Sequence, residues 1–132
     1  MMENPRGYLE ISVDRLKENY RCLKEFLPEG NRMICIVKCN GYGCDAVKEA
    51  NVLRQCGADF FGVACESEAQ ELYQAGIKED ILILGHTLGN QREELIRKGF
   101  IQTVGDLDYG RTLADYARDL GIPVRVHLKI DT

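Results

Sequence analysis

The sequence predicts an α/β fold in which about five parallel strands alternate with helices, as the N-terminal portion of a (β/α)₈ barrel. From residue 33 onward, short apolar runs alternate with helical patterns at intervals of about 20 to 25 residues. A glycine follows each helical pattern, as is typical of a helix end. The last predicted strand has one apolar and one polar face, which suits a barrel interior better than an open sheet covered by helices on both sides.

The chain begins with a strand and a helix that precede the repeating units. Residues 8–11 are predicted to form a short strand, and Ser12 is placed to cap a helix over residues 13–27. In that helix, apolar residues recur at helical spacing and give one apolar face: Val13, Leu16, Tyr20, Leu23 and Leu27. Pro28 and Gly30 are expected to end it.

The repeating units follow in order along the chain. The predicted strands are 33–38, 60–64, 81–84, 101–104 and 124–130, and the predicted helices are 45–55, 67–74, 90–98 and 108–120. The glycines expected just beyond the helices are Gly57, Gly76, Gly99 and Gly121. Strands that alternate with helices imply a parallel sheet with right-handed crossovers.

The alternation of side chains predicts which face of each strand points into the barrel. In the last strand, the side chains expected to pack on helices are Val124, Val126, Leu128 and Ile130, and those expected to point inward are Arg125, His127, Lys129 and Asp131. In the first repeat strand, the outward set is Met33, Cys35 and Val37, and the inward set is Ile34, Ile36 and Lys38. A complete eight-stranded barrel needs about 250 residues. We therefore expect residues 1–132 to be one partial barrel domain of a larger protein.

Composition and charge exclude several classes of function. The chain has 17 Lys and Arg against 21 Asp and Glu, a net charge of −4, which argues against nucleic acid or an anionic membrane as the main partner. No apolar run approaches the roughly 20 residues of a membrane-spanning helix, and residues 1–6 lack a signal-peptide pattern, so a cytoplasmic location is expected. Six cysteines are expected to be reduced, buried thiols, because they form neither a CxxC pair nor a metal-ligand set with histidine: Cys22, Cys35, Cys39, Cys44, Cys56 and Cys65.

Lys38 is the leading candidate for chemistry. An apolar strand ends on this lysine, and a turn with Asn40, Tyr42 and two glycines follows at once. The carboxyl ends of barrel strands carry ligands and catalytic groups. A lysine amine there could form a Schiff base with an aldehyde, of which pyridoxal phosphate is the commonest cofactor, while a tyrosine hydroxyl binds its phosphate. A surface lysine that simply ends a strand is the alternative.

Residues 36–43, with the sequence IVKCNGYG, resemble the pyridoxal-phosphate lysine motif of alanine racemases. The resemblance covers essentially the whole chain, and residues 8–11, 61–64, 81–85 and 126–132 are similar to further segments of that family in the same order. The departures lie around the lysine, where Cys39, Gly41, Cys44 and Asp45 replace the family's Ala, Ala, His and Gly. Lys38 and Tyr42 are retained.

The resemblance implies a pyridoxal-phosphate-binding TIM barrel and an amino acid racemase. Lys38 would carry the cofactor and act as one of two catalytic bases, Tyr42 would contact the phosphate, and Leu84 would lie beside the cofactor ring. Lys129 matches a lysine that many members carry in carbamylated form. The family implies a cytoplasmic homodimer that interconverts L- and D-alanine for cell-wall precursors, with serine as an alternative substrate. The second base, the rest of the barrel and a C-terminal β-domain lie beyond this segment, so we expect it to be inactive alone.

Two other functions remain open. One is a non-catalytic carrier of pyridoxal phosphate. Residues 40–43 argue against it, because they have the form of the lysine motif that racemases have. The other is an inert structural fragment. His127 is interpreted as a packed or networked histidine and His86 as a loop residue. Asp106 and Asp108 are interpreted as turn and capping residues. The charges of helix 90–98 are expected to form solvated pairs four residues apart.

Overall fold

Five short strands form one parallel sheet in the computed structural model, which describes residues 7–130. The strands are β1 (Cys35–Ile36), β2 (Phe60–Val63), β3 (Asp80–Ile83), β4 (Ile101–Val104) and β5 (Arg125–Leu128). They lie side by side in chain order, and every neighbouring pair is parallel. Sequential order is that of a barrel wall, whereas a doubly wound sheet reverses its order at a switch point. The predicted α/β barrel arrangement is confirmed.

Helices connect the strands close to where the sequence predicts them. They are α1 (Val13–Glu25), α2 (Lys38–Tyr42), α3 (Ala46–Gln55), α4 (Glu66–Gln74), α5 (Gln91–Lys98) and α6 (Leu107–Leu120). The Ser12 hydroxyl caps α1 by accepting a hydrogen bond from the Arg15 backbone N–H at 3.4 Å. The four glycines expected at helix ends all have positive φ: Gly57, Gly76, Gly99 and Gly121. The short α2 was not predicted as a helix and belongs to the candidate site.

The hydrophobic core lies between the sheet and the helices. Alternate residues of β2 and β3, including Phe61 and Ile83, point to the helices and are fully buried. They pack with Leu72, Leu95 and Leu113 from the helices. Burying a side chain of this size contributes about 1.5–3 kcal/mol to folding.

At the amino-terminal ends of the strands, the concave face of the sheet carries an ion-pair network, here called the base network. The Asp80 carboxylate accepts a bidentate pair of hydrogen bonds from Arg125, with Nη1–Oδ1 at 2.5 Å and Nη2–Oδ2 at 3.1 Å. Arg32 binds the same carboxylate at 2.8 Å and Asp59 at 3.2 Å. The network joins β5 to β3 across the strand that separates them. Hydrogen bonds from Arg125 and Arg32 lower the pKa of Asp80 to about 2.

Three predictions are corrected by the structure. Residues 8–11 do not form a strand, since no strand among the described residues pairs with them. The outer face of β5 is covered only at its start: Val124 packs against the core as predicted, but Val126, Leu128 and Ile130 are 47%, 71% and 84% exposed, because α6 covers β4. Only Cys35 of the six cysteines is buried, because the others lie on turns or on helix surfaces.

Two further predictions lie outside the described residues. They concern the inward orientation of Asp131 and the character of residues 1–6. Within residues 7–130, no helix combines the length and the apolar character needed to cross a membrane.

Candidate active site

Lys38 lies two residues after β1, at the carboxyl edge of the sheet. As predicted, Cys35 and Val37 are buried against the helices, so the intervening side chains belong to the concave face. Lys38 lines a cavity of about 510 Å³ on that face. The other lining residues come from the ends of β3, β4 and β5: Leu84, Thr103, His127, Leu128, Lys129 and Ile130. Three of the four residues predicted for the site therefore border one cavity.

The chain leaves Lys38 through a left-handed turn, α2. Cys39 and Asn40 both have φ 54° and ψ 47°, Gly41 has φ 62°, and Tyr42 has φ 53°. Consecutive left-handed residues are rare, because each non-glycine residue costs about 1–2 kcal/mol in this conformation. The surrounding structure must therefore stabilise the turn.

Two contacts stabilise the turn against α3. The Asn40 side-chain oxygen accepts a hydrogen bond from the Ala46 backbone N–H at 3.1 Å. Gly41 packs so tightly that an added Cβ would lie 2.6 Å from the Glu49 carboxylate and 3.1 Å from the Ala46 nitrogen. One Glu49 oxygen is buried without a hydrogen-bond partner, and desolvation raises the pKa of this carboxyl group.

A third contact comes from α4. The Glu68 carboxylate accepts hydrogen bonds from the backbone N–H groups of Cys39 and Ala64, each at 2.7 Å. Ala64 directly follows β2, and Cys39 lies three residues after β1, so one carboxylate joins the carboxyl ends of two neighbouring strands. Sequence reasoning assigned Glu68 no role of its own.

Leu84 is fixed by backbone contacts at the end of β3. Its N–H donates to the Val63 carbonyl at 2.9 Å, and the Gly85 N–H donates to the Ala64 carbonyl at 3.0 Å. Its side chain forms part of the cavity wall together with Lys38 and Lys129. Thr103, which no pattern in the sequence singled out, is 6% exposed and has a buried hydroxyl without a partner.

Lys129 lies just beyond β5, where its backbone N–H donates to the Val104 carbonyl at 2.9 Å. It borders the main cavity and a smaller one of about 260 Å³. His86 lines the smaller cavity, stacked on Tyr109 with ring centroids 4.0 Å apart and with Nε2 3.7 Å from Asp106. His86 is a loop residue as predicted, and Asp106 caps α6 through the Tyr109 N–H at 2.7 Å.

Tyr42 is not brought to the main cavity. Its side chain is 63% exposed on the left-handed turn, and it is not among the residues that line the cavity. His127 does line it, together with the two lysines. Basic groups beside an apolar wall suit a small organic molecule that carries an anionic group.

The chain matches the family model for the N-terminal domain of alanine racemase over residues 11–132. An alanine racemase of Clostridium perfringens (strain ATCC 13124) is 39% identical over 125 residues, which are 95% of this chain and 32% of that relative. Alanine racemase 1 of Oceanobacillus iheyensis is 35% identical over 126 residues, which are 96% of this chain and 34% of that relative. The chain thus spans about a third of the length of these relatives.

Solved structures agree with the sequence matches. Alanine racemase of Clostridium difficile 630, in complex with cycloserine, superposes with a TM-score of 0.85 at 34% identity, over 90% of this chain and 32% of that one. The enzyme from E. faecalis gives a TM-score of 0.83 at 34% identity, over 92% of this chain and 33% of that one. The lysine motif, the sequential parallel sheet and these matches agree: the chain belongs to the alanine racemase N-terminal domain family.

Proposed function

We propose that this chain is the cofactor-binding part of a pyridoxal-phosphate-dependent alanine racemase, with Lys38 as the lysine that carries the cofactor. The observation that carries the proposal is the shared cavity of about 510 Å³, which is bordered by Lys38, Leu84 and Lys129 at the carboxyl ends of the strands. In barrel enzymes this edge holds the catalytic groups. The family assignment favours the same reaction.

The residues present fit pyridoxal phosphate. The cavity combines the Lys38 amine, which would hold the aldehyde group, with the apolar wall of Leu84, which would contact the ring. Tyr42 would bind the phosphate from the exposed turn, and Lys129, carbamylated or not, would support the site from β5. When bound, the cofactor supplies an electron sink that acidifies the Cα–H bond of an amino acid. Lys38 would then hold or return the Cα proton on one face of the substrate.

Racemisation needs a second base on the opposite face of Cα, because inversion requires the proton to arrive from the side it did not leave. The proposal places that base outside this segment, in a partner subunit of a cytoplasmic homodimer. We therefore expect the 132-residue chain alone to have negligible racemase activity. Turnover of L-alanine by the purified chain, followed with a D-amino acid oxidase assay, would contradict this expectation.

Reductive labelling tests the cofactor assignment. The purified chain is mixed with pyridoxal phosphate, its visible spectrum is recorded, and borohydride reduction is followed by peptide mapping. An adduct concentrated on Lys38 is the expected result. Label spread over surface lysines would contradict the assignment and favour an inert structural fragment.

Activity of a full-length chain that contains this sequence tests the reaction and the substrate. We expect racemisation of alanine, consistent with a supply of D-alanine for cell-wall precursors, and slower racemisation of serine. A Lys38 adduct without racemisation of either amino acid would favour a non-catalytic carrier of pyridoxal phosphate.

A further inference from the structure

Glu68 connects the segment that follows β1 to the segment that follows β2, beside the candidate site. Its two carboxylate oxygens accept from Cys39 N–H and Ala64 N–H, each at 2.7 Å. These distances are typical of charge-assisted hydrogen bonds, which are about twice as strong as neutral ones. Just beyond β1, the Val37 N–H donates to the Gly62 carbonyl at 2.9 Å, and this is the last backbone hydrogen bond that the described residues form between β1 and β2. Beyond it, the carboxylate continues the connection between the strands.

The connection extends from Glu68 to Leu84. Ala64 donates its N–H to Glu68 and accepts the Gly85 N–H on its carbonyl at 3.0 Å. A Cβ on Gly85 would lie 2.8 Å from that carbonyl oxygen, so the close approach requires glycine. An unbroken series of hydrogen bonds therefore runs from the residue after Lys38, through Glu68 and Ala64, to the residue after Leu84.

The left-handed turn needs such a contact. Cys39 is the first residue of the turn with positive φ, and its N–H is the group that Glu68 holds. A non-glycine residue returns to the right-handed or extended region when nothing opposes it. That change would rotate the peptide between residues 38 and 39 and redirect the Lys38 side chain.

We propose that Glu68 is a positioning residue that sets the place of the Lys38 amine relative to Leu84, through Cys39 N–H on one side and Ala64 N–H on the other. The inference rests on the proposed function for Lys38. It adds a residue on α4, 30 positions after the lysine, that is not among the residues lining the main cavity.

Glu68→Gln tests the proposal, with Glu68→Asp and Glu71→Gln as companions. The amide has one acceptor oxygen, and its NH₂ group would face a second donor, so one backbone N–H loses its partner. Aspartate keeps the charge on a shorter side chain and should rescue part of the effect. Glu71 is exposed on the same helix and provides the matched control.

The first measurement needs no cofactor. In Glu68→Gln, amide hydrogen exchange in the full 132-residue chain should become about tenfold faster at whichever of Cys39 and Ala64 loses its partner, as expected for the loss of one charge-assisted hydrogen bond. The core amides of Phe61 and Ile83 should keep their protection. Trace acylation with acetic anhydride should rise at the half-buried Lys38 relative to the exposed Lys24.

The second measurement uses pyridoxal phosphate and borohydride. The reduced adduct on Lys38 should fall about tenfold in Glu68→Gln, as expected for losing one charge-assisted hydrogen bond. It should fall less in Glu68→Asp and stay unchanged in Glu71→Gln. Faster exchange at Cys39 or Ala64 with unchanged labelling and acylation of Lys38 would overturn the proposal, because Glu68 would then be only a structural contact. If the unmodified chain gave no Lys38 adduct, the proposed function would fail, while exchange and acylation would still decide the role of Glu68.

Discussion

The two ends of the parallel sheet use charged side chains in opposite ways. At the amino-terminal ends, Arg32, Asp80 and Arg125 form the ion pairs of the base network, and Asp80 and Arg125 begin regular strands. At the carboxyl ends, Lys38 and Lys129 border a cavity, and the adjoining turn is left-handed. One end joins strands through ion pairs, whereas the other surrounds a cavity. In barrels, stability and chemistry separate between the two ends in this way.

Removing the lysine is the strongest test of this comparison. In Lys38→Ala, we expect the borohydride-reduced pyridoxal phosphate adduct to disappear from the peptide that contains residue 38. No other single lysine should become labelled in its place. The free energy of unfolding should change by less than about 0.5 kcal/mol, since the amine forms no hydrogen bond or ion pair with any residue from 7 to 130. Peptide mapping and urea denaturation measure the two quantities. A large loss of stability would show that the carboxyl end also holds the fold together.

Gly41→Ala should give the largest loss of stability. The new methyl group would meet Glu49 at 2.6 Å and the Ala46 backbone at 3.1 Å, on a residue with φ 62°. We expect a loss of about 2–4 kcal/mol in urea denaturation, from strain and overpacking together. Gly43→Ala is the matched control, because φ is 90° there but no atom lies within 4 Å of the new methyl group. Equal losses in the two variants would mean that packing against α3 does not hold the turn.

Asp80→Asn tests the base network. The pKa of the Asp80 carboxyl group in the folded chain is about 2, against an ordinary value of 3.8. The carboxylate therefore stabilises the fold above about pH 4, and this contribution is lost as the pH falls toward 2. At pH 7 we expect the variant to be less stable by about 1–2 kcal/mol, after allowance for the solvent exposure of both arginines. The difference from the unmodified chain should shrink between pH 4 and pH 2. A stability difference that stays constant with pH would show that the charge of Asp80 does not cause the stabilisation.

The smallest effect is expected for an ion pair at neither end of the sheet. Glu93 and Arg97 form a pair at 2.8 Å on the exposed face of α5, four residues apart as the sequence predicts. Glu93→Gln should cost no more than about 0.5 kcal/mol, and the cost should vanish at high salt. If it equalled the cost of Asp80→Asn, the base network would have no advantage over a surface pair.

The parts of the fold that sequence reasoning predicted depend on local patterns. The βα rhythm, the glycines at helix ends and the Ser12 cap follow from spacing within one element. Alternation along β5 also predicts that Lys129 shares the concave face with Lys38, and both border one cavity. These signals need only the periodicity of a strand or helix.

The parts that it missed depend on contacts between distant segments. Glu68 lies 29 residues from Cys39 in the sequence, and Arg125 lies 45 residues from Asp80. No local sequence pattern predicts contacts over such separations. A turn was expected after Lys38, but four consecutive left-handed residues contradict the preference of most side chains. The exposed outer face of β5 has the same alternation as a covered face, and only the position of α6 distinguishes them.

The sequential strand order has a consequence for how the chain acquires its structure. Paired residues on neighbouring strands lie only 19 to 26 positions apart, so each new strand meets its partner almost as soon as it is synthesised. The segment from Lys38 to Leu84 can therefore assemble on the ribosome before the strands that follow it are made. Pulse-labelled exchange during refolding should show β1 to β3 protected no later than β5. Lys38 and Leu84 would then be ordered before the residues after β4 that complete the lining of the cavity are made.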